Sequence, residues 1–131
     1  MSTTLKTEGL NESAKALKIH SWEPNPISKA PRRYVITGFD ASTNPDHLEG
    51  TPLDKCIMLF QNGSPAEVGV NGITPEAVVV VLKDMFEKFQ TGKFACNENG
   101  RILQHLDGIL DEMRNRTQNR MARFVEGTYQ A

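Results

Sequence analysis

The sequence is short of nearly every feature that announces a chemistry. Its two cysteines, Cys56 and Cys96, stand 40 residues apart, without the CxxC spacing of a metal knuckle or redox motif. One pair is too few for a disulfide-stapled scaffold, so reduced thiols in an intracellular protein are expected. The three histidines, His20, His47 and His105, lie in separate segments with no HExxH or HxH spacing. No GxSxG elbow occurs, and no glycine-rich phosphate loop precedes a helix. Asp111 and Glu112 are adjacent and point to different faces of any helix, which argues against a paired-carboxylate site. With no catalytic constellation, the chain is not read as an enzyme, and neither cofactor nor metal is expected. Charge of one sign is also missing: 15 Lys and Arg against 16 Asp and Glu give a net charge of −1. That leaves no surplus to hold a nucleic-acid polymer, and any basic patch must be local. Long apolar runs are missing too. The longest aliphatic stretch, Ala77 to Leu82, cannot span a bilayer, and Met1 to Leu10 lacks the apolar centre of a signal peptide. No membrane partner is expected, and the cytosol is the expected location.

What remains is an ordinary soluble composition, 38% hydrophobic and 24% charged, in 131 residues. That length suits one domain and excludes a second independent one. Residues 1–15 are rich in Ser, Thr, Lys and Glu and read as a flexible tail. Residues 16–131 read as a single α+β domain, with a small antiparallel β-sheet of about four strands over 16–72 and a two-helix hairpin over 74–124. Alternation and β-branched or aromatic content predict strands at Leu17–Trp22, Tyr34–Phe39, Cys56–Phe60 and Glu67–Val70. Gln61-Asn62-Gly63-Ser64-Pro65 joins the last two as a hairpin, because an Asn-Gly step tolerates positive φ.

Thr74-Pro75-Glu76 then offers an N-cap, a proline at the first helical position and an acid in the first turn. The β-branched run Val78 to Val81 argues for a strand instead. Leu82, Met85, Phe86 and Phe89 at three- and four-residue spacing favour the helix, with Gly92 as its C-terminal cap. A second helix is predicted from Asn97 or Glu98 to about Arg123, its seam formed by Ile102 or Leu103, Leu106, Ile109, Leu110 and Met113. Continued, that seam becomes cationic at Arg116 or Thr117, Arg120 and Arg123.

Arg116, Arg120 and Arg123 lie at i, i+4 and i+7, and guanidinium forks grip phosphate bidentately, so the spacing suits a small anion such as a diphosphate. A solvated helix end whose cations complement the dipole explains the same spacing. Phe89 or Phe94 could offer a π-face to a base, although core packing is the simpler reading of Phe94. Asn99 could hydrogen-bond an adenine edge or a ribose, or only cap the helix.

Ordered sequence blocks add a resemblance. They run from Tyr34-Val35-Ile36-Thr37-Gly38-Phe39-Asp40-Ala41-Ser42 through Leu59-Phe60-Gln61-Asn62-Gly63 to Glu67-Val68-Gly69-Val70-Asn71-Gly72-Ile73-Thr74. They continue with Phe89-Gln90, Gly92, Phe94-Ala95-Cys96, Glu98-Asn99, Arg116-Thr117, Arg120, Arg123 and Gly127-Thr128. In these the chain resembles the phage anti-Thoeris nucleotide-sponge family, whose helical hairpin is shared with the anti-CBASS sponge family. The resemblance implies a small sheet followed by two long helices, a homohexamer, and a non-enzymatic viral protein in the cytoplasm of the infected bacterial host. It would sequester glycocyclic ADP-ribose isomers made by TIR proteins, and some members also hold cyclic di- or trinucleotides at separate sites. By motif, Phe89 would stack the adenine, Asn99 would hydrogen-bond the ligand, and Arg116 and Arg120 would neutralise its diphosphate. Thr117, Arg123 and Thr128 complete the implied ligand-binding set. Lys93, Asn97, Gly100 and Phe124 stand where the family pattern has Pro, Arg, Ala and Gly. The alternative from a different class is an oligomeric protein-interaction module with no small-molecule ligand. A third, an RNA-binding domain, is disfavoured by the neutral net charge.

Overall fold

The computed structural model describes residues 2–7 and 11–123. They divide into two compact units, Met1–Asn62 and Gly63–Ala131. The layout is α+β, an antiparallel four-stranded sheet followed by helices.

In the first unit the strands β1 (Thr3–Leu5), β2 (Lys18–Ser21), β3 (Arg33–Thr37) and β4 (Lys55–Leu59) pair in chain order, each antiparallel to the next. The register sets Ile19 against Ile36 and Ile36 against Cys56, and likewise Ser21 against Tyr34 and Tyr34 against Met58. One face therefore carries a row of apolar pairs, because side chains two apart share a face. Tyr34 adds an edge-to-face contact with Phe60 at 5.8 Å. Between β1 and β2 a short helix, α1 (Glu12–Ala16), is capped by Asn11, whose Oδ1 accepts the Ala14 N–H. β3 ends because Gly38 has φ 95°, and a Cβ there would run into the carbonyl oxygen of Ala16. Only glycine fits both constraints.

The four predicted strands become four observed strands with one exchange of membership. β1 lies within 1–15, the stretch read as a tail, and pairs with β2 over Thr3 to Leu5. Glu67–Val70 is not a strand. Pro65 takes the first position of a single-turn helix, α2 (Pro65–Val68), which Gly69 ends at φ 74°. Gly63 does adopt positive φ, at 98°, but it turns the chain into a helix and not into a returning strand.

The second unit is dominated by α3 (Pro75–Phe89) and α4 (Asn97–Ala122), an antiparallel pair. Thr74 caps α3 by accepting the Ala77 N–H at its hydroxyl, and this start overrides the strand preference of Val78 to Val81. Val79 and Leu106 are the buried apolar side chains among the described residues. Lys83 of α3 bridges Asp107 of α4 at 2.8 Å, and the hydrogen bond and charge of Asp107 raise the Lys83 pKa. The predicted stop at Gly92 shifts to Gln90, the C-cap of α3.

Candidate functional site

The side chains of interest are set by two helix ends. Gln90, immediately after α3, folds its amide onto the backbone of the α3–α4 connection: its Nε2 donates to the Cys96 carbonyl at 3.1 Å, and its Oε1 accepts the Cys96 N–H at 3.0 Å. Cys96, the N-cap of α4, makes no side-chain cap hydrogen bond of its own. Asn99, in the first turn of α4, is buried, and its Nδ2 donates to Gln90 Oε1 at 3.1 Å and to the Phe94 carbonyl at 2.9 Å. Asn99 is thus neither the cap nor a freely placed amide. Phe89, the last residue of α3, rests edge-on against Phe86 at 5.4 Å and is 38% exposed, so its ring keeps open surface for stacking. Phe94 is 67% exposed, which corrects the core-packing expectation, and Lys93 lies 5.4 Å from its ring.

The other end of α4 carries the arginines. Arg114 pairs with Asp111 at 3.0 Å. Arg116 and Arg123 are exposed, Thr117 is half-buried, and Arg120 is buried. The predicted common face is therefore split: Arg120 continues the inward row of Leu106, Leu110, Met113 and Thr117, while Arg116 sits on its flank. That flank is a shallow open groove that also includes His105, Ile109 and Glu112. Thr128 lies outside the described residues.

The two groups do not meet within one hairpin. Asn99 and Arg116 are 17 residues apart on one helix, which places them about 25 Å apart along its axis. The register agrees. Lys83 lies opposite Asp107, so Pro75, eight residues back along α3, falls opposite Asn115, and Arg116 onward extends past the start of α3. Phe89 and Asn99 lie at the α3–α4 connection and the arginines toward the far end of α4. Sequence spacing had grouped Arg116, Arg120 and Arg123 but carried no sign of Gln90. A glutamine at a helix end has no signature until the Cys96 backbone is seen against it.

Among the described residues, no three His, Cys, Asp or Glu side chains come together as metal ligands. None of the described helices is long and apolar enough to cross a membrane. Cys56 and Cys96 are free and exposed.

The hairpin thus carries an aromatic ring and two amides at one end and guanidiniums at the other. Among known proteins, the chain is similar to "Thoeris anti-defense 1" of Bacillus phage SBSphiJ7, with 34% identity over 71 residues covering 54% of this chain and 50% of the relative. The match thus spans about half the length of that curated relative. No family model matches the chain.

Proposed function

We propose that this protein is a phage anti-defence protein that captures a cyclic ADP-ribose isomer of Thoeris TIR signalling and holds it without degrading it. The observation that carries the reading is the half-length likeness to an anti-Thoeris protein. The chemistry of the hairpin ends fits it. A π-face at Phe89 and the amide of Asn99 suit an adenine, and Arg116 and Arg120 suit a diphosphate, with Thr117, Arg123 and Thr128 as further contacts. Cyclic di- or trinucleotides form a second ligand class, at separate sites.

A compact cyclic nucleotide does not bridge about 25 Å of helix. The site is therefore shared: two hairpins lying antiparallel bring Phe89 and Asn99 of one copy beside Arg116 and Arg120 of the other. Apolar surface is available for such assembly, since Val80, Val81, Leu82 and Met85 of α3 are between 40% and 60% exposed. The assembly built from these pairs is a homohexamer. The same surface favours a second reading, an interaction module whose partner is a protein and which has no nucleotide ligand.

The test is recovery. Protein incubated with a glycocyclic ADP-ribose isomer should prevent activation of a Thoeris effector, and heat denaturation should return the intact nucleotide. Appearance of linear ADP-ribose would make the protein an enzyme, and continued effector activation would leave the interaction module.

A further inference from the structure

Amide side chains are normally ambiguous as recognition groups, because either end can be turned toward a ligand. Here the ambiguity is removed by backbone atoms. The Cys96 N–H can only donate and its carbonyl can only accept, so Gln90 has one orientation, with Oε1 on the N–H at 3.0 Å and Nε2 on the carbonyl at 3.1 Å. The remaining acceptor capacity of Oε1 takes one Asn99 Nδ2 hydrogen, and the Phe94 carbonyl takes the other. Both Asn99 donors are consumed. Turning the amide over would set its oxygen against two acceptors in a buried position, which costs both hydrogen bonds.

We infer that Gln90 is a positioning residue that makes Asn99 an acceptor-only group, so that this end of the hairpin selects a base whose exocyclic group is an N–H donor. This rests on the nucleotide-capture reading above. An adenine with its exocyclic amine free satisfies Asn99 Oδ1. A 6-oxopurine places a carbonyl oxygen where that amine was, and two acceptors face one another. Selection at this position is thus set one residue away from the ligand, by an amide that the ligand does not touch.

The experiment pairs a glycocyclic ADP-ribose isomer with its 6-oxo, inosine-type counterpart, titrated calorimetrically against the full chain. Wild type is expected to prefer the 6-amino ligand by tenfold or more, about the ratio one hydrogen bond supplies. Gln90→Leu frees one Asn99 donor, leaves the Phe94 carbonyl alone to hold the amide, and should lower the preference about threefold or more while the amino ligand still binds. Gln90→Glu keeps one acceptor for Asn99 and the Cys96 N–H but sets its second carboxylate oxygen against the Cys96 carbonyl, so it should weaken the clamp and lower the preference as well. Equal affinity for both ligands in wild type, or an undiminished preference in Gln90→Leu, overturns the inference.

A ligand-free readout separates the two levels. In wild type the Asn99 side-chain amide protons should exchange slowly with solvent, and in Gln90→Leu the proton released from Gln90 should exchange rapidly. Rapid exchange in wild type overturns the clamp itself. Slow exchange with binding of neither nucleotide overturns the capture reading, and the selection step with it.

Discussion

If the binding site is shared between antiparallel copies, two inactive variants should repair one another. Asn99→Ala removes the amide end and Arg116→Ala the guanidinium end, and each homo-oligomer lacks one half of every site. In a mixed pair, one site receives both lesions and the other receives neither. With equal, freely exchanging subunits, half of the pairs are mixed and half of their sites are intact, so about a quarter of the wild-type capacity should return. The origin of the number is the separation of about 25 Å along α4, which prevents one chain from supplying both ends. Mixing should be done with one variant mass-tagged, so that native mass spectrometry verifies exchange, and capacity read as moles of nucleotide retained on ultrafiltration. Recovery near zero in verified mixed pairs would refute the sharing of sites between copies.

Arg116→Ala should lower nucleotide affinity by about ten- to a hundredfold with little change in stability, because the side chain is exposed. Arg120→Ala should lower affinity as well and in addition cost about 1–3 kcal/mol in urea unfolding, since the residue is buried. Gly38→Ala combines positive φ with a collision at the Ala16 carbonyl and should destabilise the sheet unit by about 2–4 kcal/mol, read by thermal circular dichroism. The raised Lys83 pKa means the ammonium is favoured in the folded state. Its contribution is complete below the ordinary lysine range and is lost as pH rises through the raised value, so Lys83→Met should flatten the alkaline fall in stability. Asp40 has the opposite sign: the Ser42 N–H lowers its pKa, and its contribution is lost as pH falls through that lowered value.

The elements legible in the sequence were those whose signals are local. Thr74-Pro75-Glu76 specified the start of α3 strongly enough to outweigh the four consecutive valines Val78 to Val81, and both ends of α4 fall within a residue of expectation. β1 escaped because Thr3 to Leu5 is too short to show a pattern, and its partner is β2, 16 residues away. Glu67–Val70 alternates like a strand, but the Ser64-Pro65 start and the Gly69 stop outweigh that pattern. The arginine cluster was visible as spacing. Its distance from Asn99 follows from the helix rise, whereas the burial of Arg120 and the amide clamp at Gln90 depend on side chains meeting across a turn.

Among the described residues, the buried apolar side chains of the hairpin are Val79 on α3 and Leu106 on α4, and much of α3 still faces outward. A hairpin so lightly filled draws little stability from itself. On the shared-site reading, folding and association become one linked equilibrium, and the midpoint of unfolding should climb with protein concentration. Binding capacity would then rise more steeply than the number of chains synthesised, giving early infection a threshold dose below which the nucleotide signal passes uncaptured.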